Sequence, residues 1–364
     1  MDDPSQTLAD SVVRPDVLAM AAYAVQDCAG LLKLDAMENP HRLPAGLQVQ
    51  LGLRLGAVAL NRYPANGLRA LADALALHAA IPAGFSIVLG NGSDELIAML
   101  SVACDRPGAS VLAPVPGFVM YGVSARLQGL RFIGVPLRDD FELDEAAMLA
   151  AMAEHRPAIV YLAYPNNPTA NLWDTAAMER IIAAAPGLVV IDEAYQPFAG
   201  RSFMERIARY SNVLLMRTLS KFGLAGVRIG YLVGPRALMA QINKVRPPYN
   251  ISVLNAQCAL FALEHADVFA EQARDIVVQR GQLLAALRAV DALQVYPSDA
   301  NMLLVRILSG DTQAADRVHK GMKKRGVLVK NMSATDPLLR NCLRLTVGTA
   351  DENHAMLAAL KASL

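Results

Sequence analysis

Between residues 87 and 216 the chain repeats one unit: a short apolar run, a polar break, then a segment with helical spacing of its apolar residues. The apolar runs fall at 87–89, 110–113, 130–135, 158–163, 188–191 and 213–216. Helical segments fill 96–102, 118–127, 146–153 and 176–184. Strands alternating with helices predict an α/β fold with a mostly parallel central sheet flanked by helices. Helices then cover both faces, which is why the strands read as near-continuous apolar runs and do not alternate. Sheets of this kind gather ligands beyond the carboxyl ends of their strands. The polar residues that follow each run are therefore the candidates for a site.

The flanks read differently. Helices are expected over 44–60 and 67–78. Arg246-Pro247-Pro248-Tyr249-Asn250 reads as a hinge, since prolines stop regular structure. Beyond it lie a long helical stretch over 254–287, short strands near Val295 and at 303–305, a helix over 312–325, and strands at 327–329 and 343–347. That is a smaller α+β lobe. Residues 1–40 read as an arm packed on this lobe. The arm holds a short amphipathic segment over 17–25, and Asn39-Pro40 forces a turn. The expected division is thus an arm over 1–40, a large domain over 41–245 and a small domain over 246–364.

Composition narrows the function. A chain of 364 residues that is 54% hydrophobic can bury a sizeable core. A net charge of +1, with no basic run, gives no electrostatic footprint for nucleic acid. Cys28, Cys104, Cys258 and Cys342 are scattered without metal-ligand spacing, which points to reduced cysteines in a cytoplasmic protein. The N-terminal residues carry no signal-peptide pattern, and no apolar run is long enough to span a membrane. Gly90-x-Gly92 lacks the third glycine of a dinucleotide fingerprint, and there is no P-loop.

Four polar clusters follow apolar runs. Thr218-Leu-Ser220-Lys221-Phe-Gly223-Leu-Ala-Gly226-Val-Arg228 follows the run at 213–216. A lysine desolvated among apolar residues loses preference for its charged form and gains as a nucleophile toward an aldehyde. Hydroxyls on one side and an arginine on the other suit a phosphate. The glycines permit positive φ or close backbone approach. Gly92-Ser93-Asp94 opens a helix, where free N–H groups favour an anion, though Ser93 or Asp94 would equally serve as a plain N-cap. Tyr164-Pro-Asn-Asn167-Pro-Thr reads either as a surface turn or as a loop whose Asn167 bonds a cofactor oxygen. Asp192-Glu-Ala-Tyr195 places a carboxylate at the mouth of a buried strand, where it needs a partner. A protonated pyridine nitrogen is one, and an N-cap aspartate beside a core tyrosine is the alternative.

Taken together, these groups are those that bind pyridoxal 5'-phosphate (PLP). The chain resembles the fold type I PLP-dependent enzymes of the aspartate aminotransferase superfamily and, within them, the histidinol-phosphate aminotransferase family. The resemblance rests on Asn61-Arg-Tyr63-Pro, Asn91-Gly-Ser-Asp-Glu95, Asn166-Asn-Pro-Thr169, Asp192-Glu-Ala-Tyr195, Ser220-Lys221, Ala225-Gly-x-Arg228, Arg246-Pro-Pro-Tyr-Asn250 and Leu343-Arg-Leu-Thr-Val-Gly-Thr349. It implies that Lys221 joins the cofactor, that Asp192 pairs with the ring nitrogen, and that Asn167 and Tyr195 contact the phenolic oxygen. Gly92, Ser93, Asp94, Ser220 and Arg228 are implied at the phosphate, and Phe118 stacked on the ring. Tyr63 is implied to reach the phosphate across a homodimer interface. Arg344 is implied to bind the anionic end of an amino phosphate and, in the second half-reaction, a 2-oxo acid. Asn39, Tyr23 and Lys330 complete the implied substrate contacts. Two positions depart from the pattern. Ala170 stands where glycine is common. Lys330 stands where a second phosphate-binding arginine is expected, and a lysine supplies charge without the bidentate fork. The implied reaction is transamination between L-histidinol phosphate and 2-oxoglutarate. A threonine-phosphate decarboxylase, an aromatic amino acid aminotransferase and a non-enzymatic PLP-binding regulator are the alternatives.

Overall fold

A computed structural model describes residues 3–22, 26–64 and 67–364. The strands in chain order are β1 (Leu32–Lys33), β2 (Phe85–Gly90), β3 (Ser110–Val115), β4 (Arg131–Pro136), β5 (Ile159–Ala163), β6 (Leu188–Asp192), β7 (Val213–Thr218), β8 (Gly230–Pro235), β9 (Leu293–Val295), β10 (Met302–Ile307), β11 (Val327–Leu328), β12 (Lys330–Asn331) and β13 (Cys342–Thr346). Seven of them form the central sheet in the order β2-β8-β7-β6-β5-β3-β4. It is parallel except for β8, which runs antiparallel to β2 and to β7. The mostly parallel sheet and its flanking helices are those expected.

Both faces of that sheet are dry. Val189 and Ile191 of β6 join one apolar cluster, and Val190 between them joins the other. Successive strand residues point to opposite faces, so a strand covered on both sides has no polar register. A four-stranded antiparallel sheet, β12-β13-β10-β9, organises the second core around Leu303, Val305, Leu343 and Leu345. The N-terminal segment joins this part of the molecule. β1 pairs in parallel with β11 (Leu32 opposite Val327), and Asn301 Nδ2 donates to Met37 O at 3.0 Å.

Several elements differ from expectation. β8 and the helix Arg236–Ile242 lie where none was foreseen, as does the closing helix Ala350–Lys361. The helical stretch over 254–287 is two helices, Val253–Glu264 and Ala266–Arg288, broken at His265 (φ −118°, ψ 35°). Apolar spacing runs through the break, so periodicity does not mark it. The helix expected over 44–60 ends at Gly56. Of the segment over 17–25, Pro15–Leu18 contributes a short helix, and residues 23–25 lie outside the described residues.

Candidate active site

The carboxyl ends of β5, β6 and β7 meet the start of the helix Ser93–Ala103 around one cavity. Its walls include Ser93, Asp94, Phe118, Asn167, Asp192, Tyr195, Ser220, Lys221 and Arg228. Nine residues singled out from five separate stretches of sequence are thus brought together by the ends of neighbouring strands.

Lys221 sits in a tight turn just after β7. Its Nζ donates to Ala36 O at 2.8 Å and lies 5.8 Å from the centre of the Tyr195 ring. Burial, with the Arg344 charge as a second cause, lowers its pKa from 10.5 to about 8. A tenth or so of the side chains near neutrality then carry a free amine lone pair, far more than for an exposed lysine. Gly223 makes the turn possible: its φ is +137°, and a Cβ there would lie 2.8 Å from the Phe269 ring. Gly226 has neither a positive φ nor a close neighbour, so the need expected of both glycines holds for Gly223 alone.

Asp192 ends β6 and is 5% exposed. Tyr121 Oη donates to its Oδ2 at 2.6 Å, and Ala194 N–H donates to its Oδ1 at 3.0 Å. Burial nevertheless raises its pKa to about 6. A cationic partner in the cavity would restore the carboxylate. Tyr121 was not foreseen as a site residue. It lies three positions after Phe118, touches that ring edge-on at 5.5 Å and stacks on Tyr161 at 4.2 Å. In the sequence it reads as one more core aromatic.

Behind the cavity, Glu193 points away from it and is fully buried. Arg217 Nε and Nη2 both donate to Glu193 Oε2, at 3.0 and 2.8 Å, and Ser202 Oγ and Phe203 N–H also donate to the carboxylate. This saturated pair holds β6 to β7 directly under Asp192.

The far end of the cavity is built for an anion. The N-cap of the helix Ser93–Ala103 is Gly92, which has no side chain to offer, so Ser93 and Asp94 fall inside the first turn and do not cap it. Its first N–H groups are left for a ligand. Arg228 Nη1 donates to Ser220 Oγ at 3.3 Å, and Nη2 lies 3.3 Å from Asp94 Oδ2. Asp94 therefore orients the guanidinium with its side chain, and only its N–H faces an anion favourably. Gly92 is required by space, because its φ is +81° and a Cβ would lie 2.5 Å from Arg228 Nη2. Gly230 of β8 is required too, since a Cβ there would meet Gly92 C at 2.7 Å.

Asn167 Nδ2 donates to Tyr195 Oη at 3.1 Å, and Arg344 Nη1 donates to Asn167 Oδ1 at 2.7 Å. Arg344 on β13 is the register partner of Lys330 on β12, which puts both side chains on one face of the small sheet. Lys330 and Arg344 border a second cavity that shares Met37, Phe118 and Asn167 with the first. Ala170, buried, holds φ +66°, a left-handed conformation that costs a non-glycine residue about 1 kcal/mol.

Two residues named from the sequence stand apart, Asn39 and Tyr63. Asn39 lines neither cavity: its Nδ2 donates to Gln272 Oε1 at 3.1 Å and its Oδ1 accepts from His41 N–H at 2.9 Å. Tyr63 is 74% exposed and stacks on Tyr249 at 4.3 Å, away from the Lys221 cavity of its own chain. Tyr23 lies outside the described residues. Among the described residues no helix is long and apolar enough to cross a membrane.

The donor set fits PLP group by group: an amine for the aldehyde, a carboxylate for the ring nitrogen, an amide and a phenol for the ring oxygen, and a helix N-terminus with an arginine for the phosphate. That fold and cavity define a PLP-dependent aminotransferase, and the chain belongs to the aminotransferase class I and II family, whose model matches residues 38–360. It is 64% identical over 370 residues to the histidinol-phosphate aminotransferase of Polaromonas naphthalenivorans strain CJ2, with 100% of each chain covered. It is 65% identical over 355 residues to that of Methylibium petroleiphilum, covering 97% of this chain and 94% of the relative. The crystal structure of histidinol-phosphate aminotransferase from Sinorhizobium meliloti in complex with PLP superposes with a TM-score of 0.85 at 26% identity, covering 96% of each chain.

Proposed function

We propose that this protein transfers the amino group of L-histidinol phosphate to 2-oxoglutarate, giving imidazole-acetol phosphate and glutamate in histidine biosynthesis. The observation that carries the reading is the pairing of a low-pKa Lys221 with a second cavity holding Arg344 and Lys330 side by side. Two adjacent cations suit the phosphate of the donor and, in the return half-reaction, the second carboxylate of the oxo acid.

PLP bound here supplies an aldehyde for the amine and a ring that takes up the electrons of the breaking Cα–H bond. Asp192, which accepts from Tyr121, would pair with the ring nitrogen and keep it protonated. Asn167 and Tyr195 would contact the phenolic oxygen, and Phe118 would stack on the ring. Gly92, Ser93, Ser220 and Arg228 hold the phosphate. Lys221 Nζ, neutral, would serve as the base for the substrate Cα proton and, once protonated, as the acid that returns it to the cofactor C4'. Because donor and acceptor use one cavity in turn, the kinetics are ping-pong.

The active unit is a homodimer in the cytoplasm. Val49, Leu53, Leu60, Tyr63 and Leu77 are large apolar side chains exposed at 64 to 84%, which suits a surface covered by a second copy. From that face Tyr63 of a second copy reaches the phosphate. In each chain the arm of residues 1–40 works with the small domain (246–364) to close the site on the large domain (41–245).

The test is the absorption spectrum of the purified protein with L-histidinol phosphate and then 2-oxoglutarate. The cofactor band should shift with the first and return with the second, and Lys221→Ala should abolish both changes. A band indifferent to histidinol phosphate refutes the reading. Carbon dioxide release without any oxo acid would instead identify a threonine-phosphate decarboxylase.

A further inference from the structure

The cavity beside Lys221 contains two groups that a phosphate or carboxylate does not explain. Asp35 and Gln26 border it together with Lys330 and Arg344. Placing a carboxylate beside a substrate phosphate costs binding energy, so Asp35 has another task. Asp35 Oδ1 and Gln26 Oε1 are both buried, and neither accepts a hydrogen bond from any of the described residues. Lys33 Nζ forms a long ion pair with Asp35 Oδ1 at 3.6 Å, beyond hydrogen-bond reach. That ammonium is drawn instead to Glu38 Oε2 at 2.5 Å. A buried acceptor left without a donor is destabilising, and side chains of this kind are satisfied by a ligand when the protein cannot do so. The position of Asp35 is firmly set: Arg344 Nη2 donates to its main-chain oxygen at 2.7 Å, and β1 just before it is tied to β11.

We infer that Asp35 and Gln26 receive the ring N–H groups of the amine donor, and so set the preference for an imidazole over an apolar aromatic ring. This rests on the proposed reaction. The same cavity has apolar lining from Phe118, Val119 and Met332. An imidazole ring held there as its cation, the form a carboxylate favours, presents two ring N–H groups, one for the carboxylate and one for the amide oxygen. A phenyl ring presents none and leaves both acceptors unmet. Sites built to bond a substrate N–H reject an analogue lacking it far more strongly than an apolar slot rejects a change of size.

The experiment compares L-histidinol phosphate with L-phenylalaninol phosphate as amine donors for the holoenzyme. Wild type, Asp35→Leu, Asp35→Asn and Gln26→Leu are compared. In Asp35→Leu, kcat/KM for histidinol phosphate should fall by about 10- to 100-fold, the range for one lost hydrogen bond to a charged group. The loss should appear in KM, since ring contacts are made equally in the ground and transition states. The loss with phenylalaninol phosphate should be at least tenfold smaller, so the ratio between donors collapses. Asp35→Asn and Gln26→Leu should shift the same ratio less, and they carry the comparison if the leucine at position 35 prevents folding. Equal losses on both donors, a loss in kcat alone, or an unchanged ratio would overturn the inference while leaving the transamination intact. A wild-type enzyme inert toward histidinol phosphate, yet active with glutamate, would remove the proposed reaction and this inference with it.

Discussion

Replacing Lys221 with methionine should make the cofactor-free protein more stable at neutral pH, although it destroys activity. The unfolded lysine titrates at 10.5, and in the cavity it titrates at about 8. Below pH 8 the side chain is charged in both states, and the native state bears the full cost of keeping that charge out of water. A fall from 10.5 to about 8, at about 1.4 kcal/mol per pH unit, makes that cost roughly 3 kcal/mol. Methionine keeps the aliphatic stem and has no charge to desolvate. It loses the bond to Ala36 O, worth about 1 kcal/mol. The variant should therefore be more stable by roughly 2 kcal/mol at pH 7. Between pH 8 and 10.5 the unfolded chain binds more protons than the native one at this position, so wild-type stability rises with pH relative to the variant. Above 10.5 the charge is gone from both states and only the bond to Ala36 remains, so the order of stability should reverse. Urea unfolding of both cofactor-free proteins across this pH range measures the difference, in which all other titrations cancel. A difference that does not change with pH, or a methionine variant less stable at pH 7, refutes the reasoning.

Three further outcomes follow from the same geometry. Tyr121→Phe removes a donor from Asp192 and lets its pKa climb above about 6, so PLP affinity should weaken several-fold and the acid limb of cofactor binding should move to higher pH, as read by fluorescence titration. Arg217→Ala leaves the Glu193 carboxylate buried and short of its cation; it should cost about 3–5 kcal/mol in urea unfolding, whereas Arg217→Ala combined with Glu193→Leu should cost less than the single change. Gly92→Ala forces either backbone strain or displacement of Arg228; PLP affinity by equilibrium dialysis should drop at least tenfold while the secondary-structure content seen by circular dichroism stays near wild type.

The sheet was readable because its strands are covered on both faces. They read as near-continuous apolar runs, and those at 87–89, 158–163, 188–191 and 213–216 were followed by the polar residues that line the cavity. Lys221, Asp192, Asn167 and Ser93 could be found for that one reason. β8 escaped notice because Gly230 and Gly234 bracket it; those glycines are there for contacts with Gly92 and with Leu214 and Met239, which only the folded sheet reveals. Tyr121 looked like core because it is core, with one oxygen turned to Asp192. Asn39, which the resemblance implied at the substrate, has its side chain engaged by Gln272 and by the His41 N–H, partners far and near that no motif announces. The second cavity was legible only through Arg344 and Lys330. Its acidic wall, Asp35, lies two residues beyond the end of β1, whose partner starts at Val327, a pairing that no local pattern encodes.

The stitching of β1 to the C-terminal part of the chain also sets an order of events during synthesis. The backbone oxygen that holds Lys221 belongs to Ala36, and the segment around it is fastened by β11, by Asn301 and by Arg344. All three fasteners emerge from the ribosome late, Arg344 among the last. A nascent chain can form the strands that carry Asp192 and Lys221 and still be unable to close the cavity. The first residues made wait for nearly the last, so a chain stopped short of β13 has a nearly complete central sheet and an open, unguarded site.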